Sequence, residues 1–188
     1  MAIIAKDNFK EGDFEKIPTG TQHAVCAFVE DIGTHEGSYN GKAISSHKIV
    51  ICWELAELMT QGDYAGKPFM VSKFYTLSLN DKANLYKDLI SWRGKAFTEE
   101  EKAGFDVEKL IGVNCLLNII TTKKQNGKEY AEVASISPPL KSMAKLNPVC
   151  PEPPKWIQEL REKSVEWREI QGGNTQNVSD HEDEGVPF

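Results

Sequence analysis

The sequence predicts a mainly β protein: a five-stranded β-barrel with a helix between the third and fourth strands, then a C-terminal helix and a disordered acidic tail. Three observations lead there. Runs rich in β-branched and aromatic residues alternate with glycine- and asparagine-rich turns between residues 21 and 136. One stretch among them, 78–94, switches from a period of two to helical spacing. Beyond Pro138-Pro139 the chain changes character, first proline-rich, then amphipathic, then too poor in apolar residues to fold.

The first strand is TQHAVCAFVED, and the glycine-rich run GTHEGSYNGK after it reads as a loop. AISSHKIVICWEL is the second strand. Period two places Ile49, Ile51, Trp53 and Leu55 on one face, with Lys48, Cys52 and Glu54 on the other. A loop at QGDYAGKP leads to the third strand, FMVSKFYTL, in which Phe69 and Phe74 are expected in the core. In SLNDKANLYKDLISWRG, Leu85, Leu89 and Trp92 line one helical face, Asn80 is placed to cap the start, and Gly94 to end it. Thr98 and Glu101 form a capping box for a short second helix, and FDVEKLIG adds a helical turn. VNCLLNIITT and KEYAEVASI are the last two strands, and Asn126-Gly127 between them signals a type I′ turn. Three strands, a helix and two strands is the element order of the OB-fold, a partly open Greek-key barrel. Trp156, Leu160 and Trp167 then mark an amphipathic helix that packs on the barrel or forms a dimer seam.

Length and composition suit this partition. At 188 residues and 21.0 kDa the chain holds one domain, 1–141, with a connection and helix at 142–171 and a tail at 172–188. No apolar run approaches the roughly 20 residues that span a bilayer. The charged N-terminus does not read as a secretory signal, so a cytoplasmic location is expected. Cys26, Cys52, Cys115 and Cys150 form no C-x-x-C pair and read as reduced, mostly core thiols. His23 and Cys26 point to opposite faces of an extended segment, so no metal is expected, nor any cofactor. The sequence holds no carboxylate cluster with metal spacing, no Ser-His arrangement and no phosphate loop, which argues against an enzyme.

The net charge of −6 at first argues against a nucleic-acid partner. Its distribution reverses the argument: residues 1–141 carry 17 Lys+Arg against 19 Asp+Glu, residues 142–188 carry 5 against 9. The body is near neutral and the excess acid lies behind it. In OB-folds an oligonucleotide lies across the second and third strands between two loops. The first loop offers Tyr39 and Lys42, and the second offers Lys123, Lys124 and Lys128 with Tyr130 beside them. Lysines neutralise phosphates and rings stack on bases, which together hold single strands without sequence preference. Lys48 is the candidate on the second strand, Lys73 and Tyr75 on the third. Arg93 and Lys95 qualify too, although cations at a helix C-terminus also have a purely structural reason to be there.

The run KPFMVSKFYTLSLNDKANLYKDLISWRGKAF, with GFDVEKLIGVNCLLNIITT and EYAEVASISP, resembles a family of phage-encoded single-stranded DNA-binding proteins with an OB-fold. The resemblance spans residues 17–140 and implies a role in DNA replication or recombination. HEDEGVPF is similar to the acidic C-terminal tip of bacterial single-stranded DNA-binding proteins, although it is shorter and inserts Gly185. Glu182, Asp183, Glu184, Val186, Pro187 and Phe188 are thereby implied to recruit replication or recombination proteins. Phe188 joins a ring to the terminal carboxylate and Pro187 stiffens the approach, which suits an apolar pocket rimmed by Arg or Lys. The alternative is an OB-fold module that holds another protein of such a complex.

Overall fold

A computed structural model describes residues 15–124 and 127–176. The elements are β1 (Gly20–Tyr39), β2 (Lys42–Leu58), β3 (Pro68–Thr76), α1 (Asn84–Arg93), α2 (Glu99–Ala103), β4 (Asn114–Lys123), β5 (Glu129–Ser137), α3 (Lys155–Arg161) and α4 (Val165–Gln176). The chain is mainly β, with one antiparallel sheet in the order β3-β2-β1-β4-β5, consistent with an OB-like fold. The edge strands β3 and β5 approach within 8 Å at Cα, yet among the described residues no ladder joins them, so the sheet is curled and open. Register shifts at Cys26/Phe28 and Asp31/Gly33 bend β1. Gly20–Val25 pair with β4 and Ala24–Tyr39 with β2, so Ala24 and Val25 sit between both neighbours.

The alternation read in β2 is realised: Ile49, Ile51, Trp53 and Leu55 are buried inside the curl with Phe69, Val71, Leu117 and Ile119. α1 closes one end of it. Its Leu85, Leu89 and Trp92 face inward, and Trp92 Nε1 donates to the Asn114 carbonyl at 3.0 Å. Gly94 ends the helix and the Thr98–Glu101 capping box is present. The predicted turn at FDVEKLIG is a 3-10 segment over Val107–Leu110, capped by Asp106.

Four expectations are corrected. Residues 33–42 are not a loop: β1 and β2 stay paired out to Tyr39 and Lys42, turning through Asn40 (φ 50°) and Gly41 (φ 74°), both in the left-handed region that a two-residue hairpin turn demands. Asn80 does not cap α1. Its Oδ1 accepts from the Lys82 amide in a turn before the helix, which starts at Asn84 behind Ala83. The amphipathic stretch 156–170 is two helices, broken at 162–164, where Ser164 is buried against β1. A Cβ at Gly33 would meet the Ser164 Cβ at 2.6 Å, so the corner between the helices sits in a notch only glycine leaves open. Finally, α4 continues to Gln176, past the expected start of a disordered tail at 172. The remainder of the tail, and Asn126 of the predicted turn, lie outside the described residues.

The C-terminal helices brace the sheet from outside. Ile157 buries with Ile32, Val50 and Cys52 as a second apolar cluster, flanked by Phe28, Met70, Trp156 and Leu160. Glu54 is 2% exposed and accepts from the Val149 and Cys150 amides at 2.8 Å each. Arg161 pairs with Glu30 and Arg168 with Glu36. No helix among the described residues is long and apolar enough to cross a membrane.

Glu166 fastens α4 to the hairpin. Its carboxylate accepts from the Thr34 hydroxyl and, at 2.9 Å, from the Thr34 amide, with His47 nearby at 3.8 Å. The Thr34 hydroxyl first, then that amide, hold the acid at about 2 against its ordinary 4.5. A depressed acid stabilises the docked form above the ordinary value, and the contribution is lost as pH falls towards the depressed one. Acidification from about 4.5 to about 2 is therefore expected to release α4 from the hairpin. The Thr34 amide resonance should move through that window in the native chain, and not in Glu166→Gln; identical titrations would refute the role assigned to Glu166.

Candidate functional site

Of the sequence-predicted residues, those on the β4–β5 hairpin are the most coherent group. Thr122 lies opposite Tyr130 and Lys123 opposite Glu129 in register. Lys124 Nζ stands 5.4 Å from the centre of the Tyr130 ring, which is 39% exposed. The Lys124 amide donates to the Lys128 carbonyl at 2.9 Å, closing the turn. Lys123 is exposed with a Glu129 oxygen at 3.6 Å. This hairpin presents cations beside an accessible ring. Tyr39 and Lys42 are register partners at the tip of the β1–β2 hairpin, where Lys42 is exposed. The two tips lie off opposite ends of β1, because β4 pairs with residues 20–25 and the β1–β2 turn follows Tyr39.

Three candidates are drawn into the fold instead. Tyr75 is 3% exposed, and its hydroxyl donates to Asp88 Oδ2 at 2.8 Å. Burial first, then Asp88, pushes its phenol up from the ordinary value. The ring belongs to the core and has no face free for a base. Lys73 is corrected with it: its ammonium pairs with the same Asp88 oxygen at 2.7 Å, on the face that α1 covers. Arg93 pairs with Glu101 and lies over Phe97 at 4.2 Å and Phe105 at 5.5 Å, so its charge is engaged at the end of α1. Lys95, just beyond, is exposed.

Phe74 reverses the opposite way. Expected in the core, it is 49% exposed, its ring 5.8 Å from that of Trp156. The period of two contained this, since Phe69, Val71, Lys73 and Tyr75 alternate inward and Phe74 falls between them. Lys48 is half-buried nearby, on the face opposite Trp53 as read from the sequence. Lys48 and Phe74 line a cleft of about 450 Å³ with Thr76 and with Lys82, a residue that sequence reasoning missed. A wider cleft of about 650 Å³ lies between the end of α1 and residues 139–145, with Lys141 and Lys145 exposed on its rim.

The outer surface of β2 is the other departure. Val50, Cys52 and Glu54 are each at most 2% exposed, because residues 149–157 lie across them. Burial raises the Cys52 thiol to about 12, and Glu30 adds to the shift. Cys26 and Cys115 are buried inside the curl and likewise raised, so these three are packing thiols rather than nucleophiles. Among the described residues no group of three His, Cys, Asp or Glu is placed to hold a metal ion. No protein-family model matches the chain, and no curated protein sequence matches it.

Proposed function

We propose that the chain is a single-stranded DNA-binding protein of the phage-encoded OB-fold kind, its sheet completed as a barrel between β3 and β5. It coats strands without sequence preference during replication or recombination in the cytoplasm of a bacterial host. It catalyses no reaction and takes no cofactor. The observation that carries the reading is the β4–β5 hairpin: an exposed lysine over an exposed tyrosine, with Lys123 and Lys128 on the same turn. Cations beside stackable rings suit a strand whose phosphates are regularly charged and whose bases are unpaired. The acidic tip ending in Phe188 recruits partner proteins, one of them held through an apolar pocket with a basic rim.

A second reading, a protein-interaction module, is favoured by the covered surface of β2, where OB-folds commonly receive an oligonucleotide. A gel shift of the full chain with fluorescent oligo-dT at two salt concentrations separates the two. The first reading expects a shift at low salt that weakens as salt rises, with a log–log slope of about −0.7 per phosphate contact. Removing residues 180–188 should leave that shift intact or strengthen it, while abolishing capture of partners by the tip. No shift at low salt would leave only the second reading.

A further inference from the structure

The outer surface of β2 and β3 is covered only in part. Across the ladder Glu54 faces Met70, Cys52 faces Ser72, Val50 faces Phe74 and Lys48 faces Thr76, and directly opposed residues share a surface. The C-terminal segment buries Glu54, Cys52 and Val50 and stops at Phe74, whose ring leans on Trp156 and keeps half its area in water. The 450 Å³ cleft opens there, lined by Lys48 of β2 and by Lys82 of the turn before α1. Among the described residues neither lysine has a carboxylate oxygen within 4 Å, whereas Lys73, Arg93 and Lys123 do. Asp81, the acid next to Lys82, is directed to Lys102 at 3.8 Å.

We infer that this cleft receives one unpaired nucleotide, its base stacked on Phe74 and its flanking phosphates on Lys48 and Lys82. The inference rests on the single-strand reading above. A ring braced by Trp156 from one side loses little freedom when a base covers the other, and stacking on it tolerates any base. Among the described residues neither ammonium group has a carboxylate partner that phosphate would have to displace. Bases in a duplex are already stacked and paired, so the cleft discriminates for an open strand.

The test measures anisotropy of labelled oligo-dT, and of an abasic strand of the same length, with the full chain. Phe74→Leu keeps apolar contact with Trp156 but removes the ring; it should weaken oligo-dT by about ten-fold and leave the abasic strand unchanged. Phe74→Tyr should bind as the native chain does. Lys48→Ala with Lys82→Ala should weaken both strands and flatten the log–log salt slope by about 1.4. Thermal midpoints of all variants report on folding. Native-like binding of oligo-dT by both the leucine and the double-alanine variants would overturn the cleft and leave the single-strand reading standing. Equal weakening of both strands by Phe74→Leu would overturn the stacking role. A native chain that binds neither strand would overturn the reading and the inference together.

Discussion

Trp53→Ala is expected to cost about 3–5 kcal/mol, the usual range for deleting a fully buried large aromatic side chain. Trp53 is 0% exposed at the centre of β2, with its ring 5.9 Å from that of Trp92, so it ties the sheet to the helix that closes the curl. Small domains are stable by only about 5–15 kcal/mol, so this single change removes a large part of the total. In a chain of this size the thermal midpoint should fall by about 6–20 °C. Trp53→Phe provides the contrast. Among the described residues the buried indole Nε1 has no hydrogen-bond partner, so phenylalanine removes a donor that they leave unsatisfied along with some packing area. Its loss should be well below that of alanine. A Trp53→Ala midpoint within about 2 °C of the native chain would contradict the core described for β2.

Glu54→Ala should act more selectively, by freeing the C-terminal segment from the sheet. The Glu54 carboxylate is buried and, among the described residues, has no cation within 4 Å; two backbone amides from residues 149 and 150 satisfy it. Removing it leaves those two donors unpaired in an apolar site, at about 1–3 kcal/mol each unless the segment lifts away to hydrate them. Lifting uncovers Cys52 but leaves Cys26 and Cys115 inside the curl. Timed alkylation read by intact mass should therefore show Cys52 reacting in the variant and not in the native chain. Cys150, partly buried beside Glu54, should react faster too, because burial first and then Glu54 raise its thiol to about 11. Unchanged protection of Cys52 would mean that Ile157 and Arg161 hold the segment without Glu54.

What was legible in the sequence follows from where local pattern and burial agree. Ile49, Ile51, Trp53 and Leu55 alternate against a core, so their spacing reported their surroundings directly. Residues 33–39 form strand without a buried face for most of their length, so nothing in their polarity alternates, and their glycines read as loop. The signal that was there, Asn40-Gly41 between Tyr39 and Lys42, is a turn signature outweighed by its polar flanks. What covers the face of β2 that carries Cys52 and Glu54 was not legible, because their partners lie about a hundred residues away, at Val149, Cys150 and Ile157. The candidate site turned on one residue of parity in β3. Tyr75 and Phe74 are both aromatic and adjacent, and both surfaces of the strand are partly covered, so composition could not tell which ring points out. Lys124 and Tyr130 were legible because a hairpin tip has few neighbours to engage its side chains.

The brace laid across β2 also has a meaning in time. All five strands are synthesised before residues 149–161 exist, so a sheet that forms as it leaves the ribosome first appears with Ile32, Val50 and Cys52 bare. At translation rates of about 5–20 residues per second, the 24 residues between the end of β5 and the end of α3 take about one to five seconds to add. During that interval the nascent protein carries an open apolar surface of the kind that chaperones and other nascent chains bind. A ribosome paused within this stretch would prolong the exposure, and the yield of folded protein would depend on codon choice in a segment that contributes no strand.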